Sequence, residues 1–115
     1  MKKKQIISKN YLEKIPVANG ELRWETTPEG KVDLLIENTG FFNRVAQKLF
    51  AKPPITYVHL DDMGSFVWPL MDGKRNIIEL GRLVEEHFGE SAHPLYERLV
   101  KFFQILDSYR FIEWK

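Results

Sequence analysis

The chain has 115 residues, of which 43% are hydrophobic, 13% aromatic and 29% charged, with a formal net charge of +1 and no cysteine. These proportions describe a globular domain with a core of its own and not a disordered chain. The absence of cysteine excludes disulfides, thiolate catalysis and cysteine-based zinc or iron–sulfur sites, and it suits a cytoplasmic protein.

Residues 1–20 carry five lysines and one glutamate, a local balance of +4, whereas residues 21–115 carry 12 basic and 15 acidic side chains, a balance of −3. The basic stretch reads as a partly flexible terminus ahead of a single domain at 21–115. Met1-Lys2-Lys3-Lys4-Gln5 is basic like the start of an export signal, but Ser8, Lys9 and Asn10 break Ile6-Ile7 at once, so no signal core follows. No apolar run approaches the ~20 residues of a membrane helix.

Glu21-Leu22-Arg23-Trp24-Glu25-Thr26 alternates polar and apolar, which predicts a half-buried strand with Leu22 and Trp24 on one face. Thr27-Pro28-Glu29-Gly30 has turn chemistry, and Lys31 to Glu37 returns as a second strand, completing a hairpin. Phe41 to Phe50 is apolar along one face of a short helix, which Pro53-Pro54 ends. Ile55-Thr56-Tyr57-Val58-His59-Leu60 is rich in β-branched and aromatic residues and predicts a third strand. Asp61 or Asp62 can cap a helix running to Met71, with Pro69 kinking its last turn.

After an Asp72-Gly73 turn, Asn76 can cap a second helix whose apolar set is Ile77, Ile78, Leu80, Leu83, Val84 and Phe88, with Gly89 as its stop. Ser91 or His93 opens a third, with Pro94 in its first turn and an apolar side of Leu95, Tyr96, Leu99, Val100, Phe102, Phe103 and Leu106. Phe111-Ile112-Glu113-Trp114 is long enough only for a closing strand or wing. The order is strand, strand, helix, strand, three helices, short strand: an α+β chain.

Little catalytic apparatus is visible. His59, His87 and His93 are not spaced as metal ligands on a helix, Ser8, Ser65, Ser91 and Ser108 lack a nucleophile frame, and no phosphate-binding glycine motif occurs. The expectation is no catalytic residue, no metal and no cofactor. Three helices plus a wing would also suit a winged-helix DNA reader. However, the last long helix sets Arg98 and Lys101 against Glu97 and Asp107, and the body of the chain is mildly acidic, so nucleic acid is disfavoured. That helix is wider in apolar surface than one core stripe needs, so part of it is available to line a groove.

The stretch "HLDDMGSFVWPLMDGKRNIIELGRLVEEHFG", followed by "PLYERLVKFFQILDSYRFI", resembles the PqqD family. The resemblance rests on Trp68 to Gly73, on Arg75 to Leu80, and on Phe103, Leu106, Phe111 and Ile112, and it covers about residues 55–115; the helix at 41–52 departs from the compact members. It implies a winged helix-turn-helix-like fold, a small three-stranded antiparallel sheet packed on a three-helix bundle, here with a short helical insertion between strands two and three. It also implies a non-catalytic peptide-binding adaptor. Such domains bind the leader of a ribosomally made precursor peptide, which adds as a strand to the sheet, and present it to a modifying enzyme, often a radical SAM enzyme.

Carried onto this chain, the resemblance makes Ile55, Thr56, Tyr57, Val58 and His59 the receiving edge and Tyr96, Leu99, Val100 and Phe103 the groove wall. Val58→Pro is then expected to disturb the edge and weaken binding. Two other readings stay open: a winged-helix DNA-binding protein, and a structural or oligomerising partner acting through Phe41, Phe42 or Phe50. The sequence leaves the oligomeric state open and gives no membrane partner.

Overall fold

The computed structural model describes residues 9–37 and 55–115. The helix expected between Phe41 and Phe50 lies outside the described residues. In chain order come α1 (Lys9–Leu12), β1 (Pro16–Ala18), β2 (Arg23–Thr26), β3 (Val32–Glu37), β4 (Ile55–His59), α2 (Asp62–Val67), α3 (Ile77–Phe88), α4 (Leu95–Ser108) and β5 (Ile112–Trp114). Trp68–Leu70 and Gly89–Ala92 are 3-10 turns. The class is α+β, with small antiparallel sheets plus helices. Two compact units form, one of residues 20–65 and one of residues 9–19 with 66–115. Among the described residues no helix is long and apolar enough to cross a membrane.

The first unit is built on a sheet of order β2-β3-β4. Its hairpin closes where the Thr27 amide donates to the Lys31 carbonyl at 2.7 Å and the Gly30 amide to the Thr27 carbonyl at 2.9 Å. Gly30 takes φ 84°, which a side chain would resist. The expected half-buried β2 is not observed: all four of its residues are exposed, with Trp24 at 42%. The reason is position in the sheet. β3 lies at the centre, paired on both sides, and it collects the burial at Val32, Asp33, Leu34 and Leu35.

α2 starts as expected, the Asp61 carboxyl accepting the Gly64 amide at 2.8 Å. It ends at Val67 and not at Met71, because Pro69 has no N–H to give the Ser65 carbonyl and the chain tightens into a 3-10 turn.

The second unit holds α3 and α4. Asn76 and Glu79 form a capping box, each side chain accepting the other's backbone N–H at 2.8 Å, and Gly89 stops α3 at φ 63°. Gly73 sits at φ 81° in the turn before it. α3 buries Ile77, Leu80, Gly81 and Val84; α4 buries Leu95, Leu99, Val100, Phe103 and Leu106. α4 begins later than expected, at Leu95, with Pro94 as its cap. Its C-terminus closes with Phe111 N–H donating to the Leu106 carbonyl and Arg110 N–H to the Asp107 carbonyl, both at 2.9 Å. Arg110 occupies the left-handed position, φ 62°, where glycine is usual, and the Asn19 side-chain amide holds its carbonyl at 2.9 Å. β5 pairs antiparallel with β1, so residues 9–19, which the sequence left without elements, supply a helical turn and a strand.

Candidate functional site

β4 is an edge strand. Its register against β3 runs from Glu37↔Ile55 to Asp33↔His59. Which of its backbone groups face outward follows from one bond: the Leu60 amide donates to the Val32 carbonyl at 3.0 Å. In an antiparallel ladder hydrogen-bonded pairs alternate. Val58 therefore bonds with Leu34 and Thr56 with Ile36, while the N–H and C=O groups of Ile55, Tyr57 and His59 point away from β3. Among the described residues no further strand pairs with that outer edge.

Ser65 finishes the inner edge. Its hydroxyl accepts the Val32 amide at 2.8 Å and donates to the Leu60 carbonyl at 3.2 Å, bridging the two strands where the direct ladder ends. Ser65 is thus a ladder-closing residue, consistent with its buried position.

Side chains on β4 alternate. Thr56 and Val58 share one face; Ile55, Tyr57 and His59 share the other. Tyr57 is 49% exposed over the buried Leu35. His59 lies across from Asp33, and its Nδ1 stands 2.7 Å from the Asp33 Oδ1. The imidazole is 73% exposed, the aspartate side chain 10%. Glu25 on β2 is the next residue in the same row, paired with Asp33 from the other side. A cleft of about 650 Å³ opens there, lined by Glu25, Glu29, Lys31, Asp33 and His59 among others. Lys31 is engaged by Asp62 at 3.1 Å.

Of the residues expected on the groove wall, Tyr96 is half-buried, its hydroxyl donating to the Ile78 carbonyl at 3.4 Å. Leu99, Val100 and Phe103 are buried, at 0, 3 and 0% exposure. The apolar surface that α4 leaves open is instead Ile105, at 48%, with Tyr109 just beyond its end at 66%. β4 belongs to one unit and α4 to the other.

The sequence singled out the five β4 residues but missed Asp33 and Glu25. A signal for Asp33 existed: an acidic residue inside Val32-Asp33-Leu34-Leu35-Ile36 needs a partner if the strand is central. Among the described residues no group of three or more His, Asp and Glu is placed to hold a metal ion.

In comparison with known proteins, the family model described as Coenzyme PQQ synthesis protein D (PqqD) matches residues 49–112. That span takes in β4, α2, α3 and α4. No curated protein and no solved structure matches the chain.

Proposed function

The chain belongs to the PqqD family, and from that premise we propose that it is a non-catalytic adaptor for a ribosomally made precursor peptide, which it holds by the leader and presents to a modifying enzyme. The observation that supports this most is the outer edge of β4. Three residues, Ile55, Tyr57 and His59, offer main-chain donors and acceptors there in the spacing an extended peptide needs. The peptide adds as a strand, and its alternate side chains are read by Tyr57 and His59 on one face and by Thr56 and Val58 on the other. Of the four α4 residues that the family resemblance points to, Tyr96 is half-buried and Leu99, Val100 and Phe103 are core residues of their own unit. In this reading the domain keeps the winged-helix arrangement of the family, works in the cytoplasm, and serves an enzyme of the radical SAM class.

The test is an amide-shift titration of labelled protein with the short peptides encoded beside its gene. The expected result is shifts centred on residues 55–60, with α4 tested independently by residues 95–103. Tyr57→Pro sharpens it. The Tyr57 N–H faces outward, so proline there removes a donor from the open edge and leaves the β3–β4 bonds in place. Affinity should fall at least tenfold, about 1.4 kcal/mol, with the fold retained. Val58→Pro is the wrong variant, because the Val58 amide bonds to Leu34 within the sheet. A folded Tyr57→Pro protein with unchanged affinity would sink the strand-addition reading.

A second reading, assembly with a partner protein that needs no peptide, is favoured by the exposed Ile105 and Tyr109. Saturation of a partner enzyme by protein whose β4 shows no shifts with any peptide would support it.

A further inference from the structure

We propose that the outer edge of β4 is also an interface between two copies of this chain, paired antiparallel about a two-fold axis at Tyr57. It uses the same open edge as strand addition but needs no peptide, and the two occupants exclude each other.

The main chain sets the register. Ile55, Tyr57 and His59 turn their N–H and C=O groups away from β3, and among the described residues no strand pairs with them. A two-fold contact sets residue i against j and j against i. Centred on Tyr57, it places Tyr57 opposite the partner's Tyr57, and Ile55 opposite the partner's His59. All three outward residues then face outward residues, and each such pair exchanges both of its N–H···O bonds, about six in all. Moving the axis to Thr56 or Val58 leaves His59 or Ile55 facing residues beyond the partner's β4, which ends at His59 because Asp61 already caps α2. The two three-stranded sheets become one continuous sheet.

The side chains agree with that register. On one face Tyr57, 49% exposed in the single chain, meets its own copy, and the His59 ring meets the β-branched Ile55. On the other face Thr56 meets Val58, both β-branched. Edge strands that resist self-pairing carry a lysine, an inward charge, a proline or a bulge. Residues 55–59 hold no lysine, acid or proline, and their pairing with β3 runs without a bulge. By contrast β2, at the other side of the sheet, carries Arg23 and Glu25. His59 is the one β4 residue able to become cationic, and its two copies lie roughly 14 Å apart, so no like charges meet whatever its protonation. A net charge of +1 leaves the copies little long-range repulsion.

Because the chain has no cysteine, a single introduced one reports the register. Under mild oxidation Tyr57→Cys should give a disulfide-linked dimer, since paired Cα atoms about 5.5 Å apart are within disulfide reach. Ile55→Cys alone and His59→Cys alone should link at least about tenfold more slowly, because like positions roughly 14 Å apart are out of reach. Mixed together, those two should link to each other as readily as Tyr57→Cys links to itself. Sedimentation of the native chain should show its mass rising with concentration toward twice that of the monomer. Tyr57→Pro should stay monomeric while keeping the amide spectrum of the folded domain. Equal cross-linking of the three single variants, or a native chain still monomeric at the concentration of its amide spectra, would overturn the proposal. Either result leaves strand addition standing, because a peptide titration of the dilute, monomeric chain tests that reading separately. A chain that dimerises in this register but binds none of the peptides would uphold the dimer and sink strand addition alone.

Discussion

Tyr11 sits on α1 with its ring edge-on to Trp114, centroids 5.6 Å apart, and with the Lys14 ammonium 5.5 Å above it. Its hydroxyl oxygen is occluded and has no hydrogen-bond partner among the described residues. Burial, and secondarily the charge of Asp107, push its pKa from 10.0 up to about 12. The native state holds the phenol proton where the unfolded chain has lost it, so the contribution is intact below pH 10 and is lost as pH rises through about 12. Urea midpoints of the native chain should therefore fall more steeply across that window than those of Tyr11→Phe. Equal slopes would show that the phenol is not the responsible group. At neutral pH Tyr11→Phe should be neutral or slightly stabilising, since it deletes an unpaired buried polar atom.

Elements are held by small features at their ends and crossings. Asn76 and Glu79 start α3, Gly89 stops it, and Asp61 starts α2, each by satisfying groups that a helix end leaves unpaired. These signals are local, so they were readable from the sequence. The crossing of α3 and α4 was not. A Cβ on Gly81 would lie 2.8 Å from the Tyr96 ring and 3.1 Å from Leu99 Cδ1. Gly81→Ala would raise intrinsic helix propensity by about 1 kcal/mol. Overpacking at this site should outweigh that gain, for a net loss of about 1–2 kcal/mol in equilibrium unfolding. A stabilised Gly81→Ala variant would mean that Tyr96 swings away without cost, and that α3 and α4 do not lock on this glycine.

For the whole molecule, a ligand on β4 acts by mass action. A peptide that binds only the native state should raise unfolding free energy by about 2.7 kcal/mol at a concentration a hundredfold above its Kd. Denaturant unfolding with and without peptide measures this, and hydrogen exchange locates it. The amides of Ile55, Tyr57 and His59 should gain protection on binding, whereas Thr56 and Val58, already bonded to β3, should change little. Protection that rises equally along all five residues would point to general tightening and not to a strand laid on the edge.

Local signals in the chain suffice for the α+β class, the hairpin turn at Gly30, the caps of α2 and α3, and the candidate strand Ile55 to His59. Each of these depends on neighbours within a few residues, where propensity, turn chemistry and periodicity act. The chain also carries the family resemblance, because the motif runs through contiguous helices. Other features arise only from long-range packing and strand pairing. That β3 and not β2 is buried depends on strand order. That Tyr57 rather than Val58 presents its amide outward depends on ladder register, which no local pattern encodes. The pairing of β1 with β5 joins residues nearly a hundred positions apart. The Asp33–His59 contact joins side chains 26 residues apart, on strands whose alignment had first to be set. An apolar helix face likewise reads the same in sequence whether it is buried, as at Leu99 and Phe103, or open, as at Ile105. Only what packs against it tells the two apart.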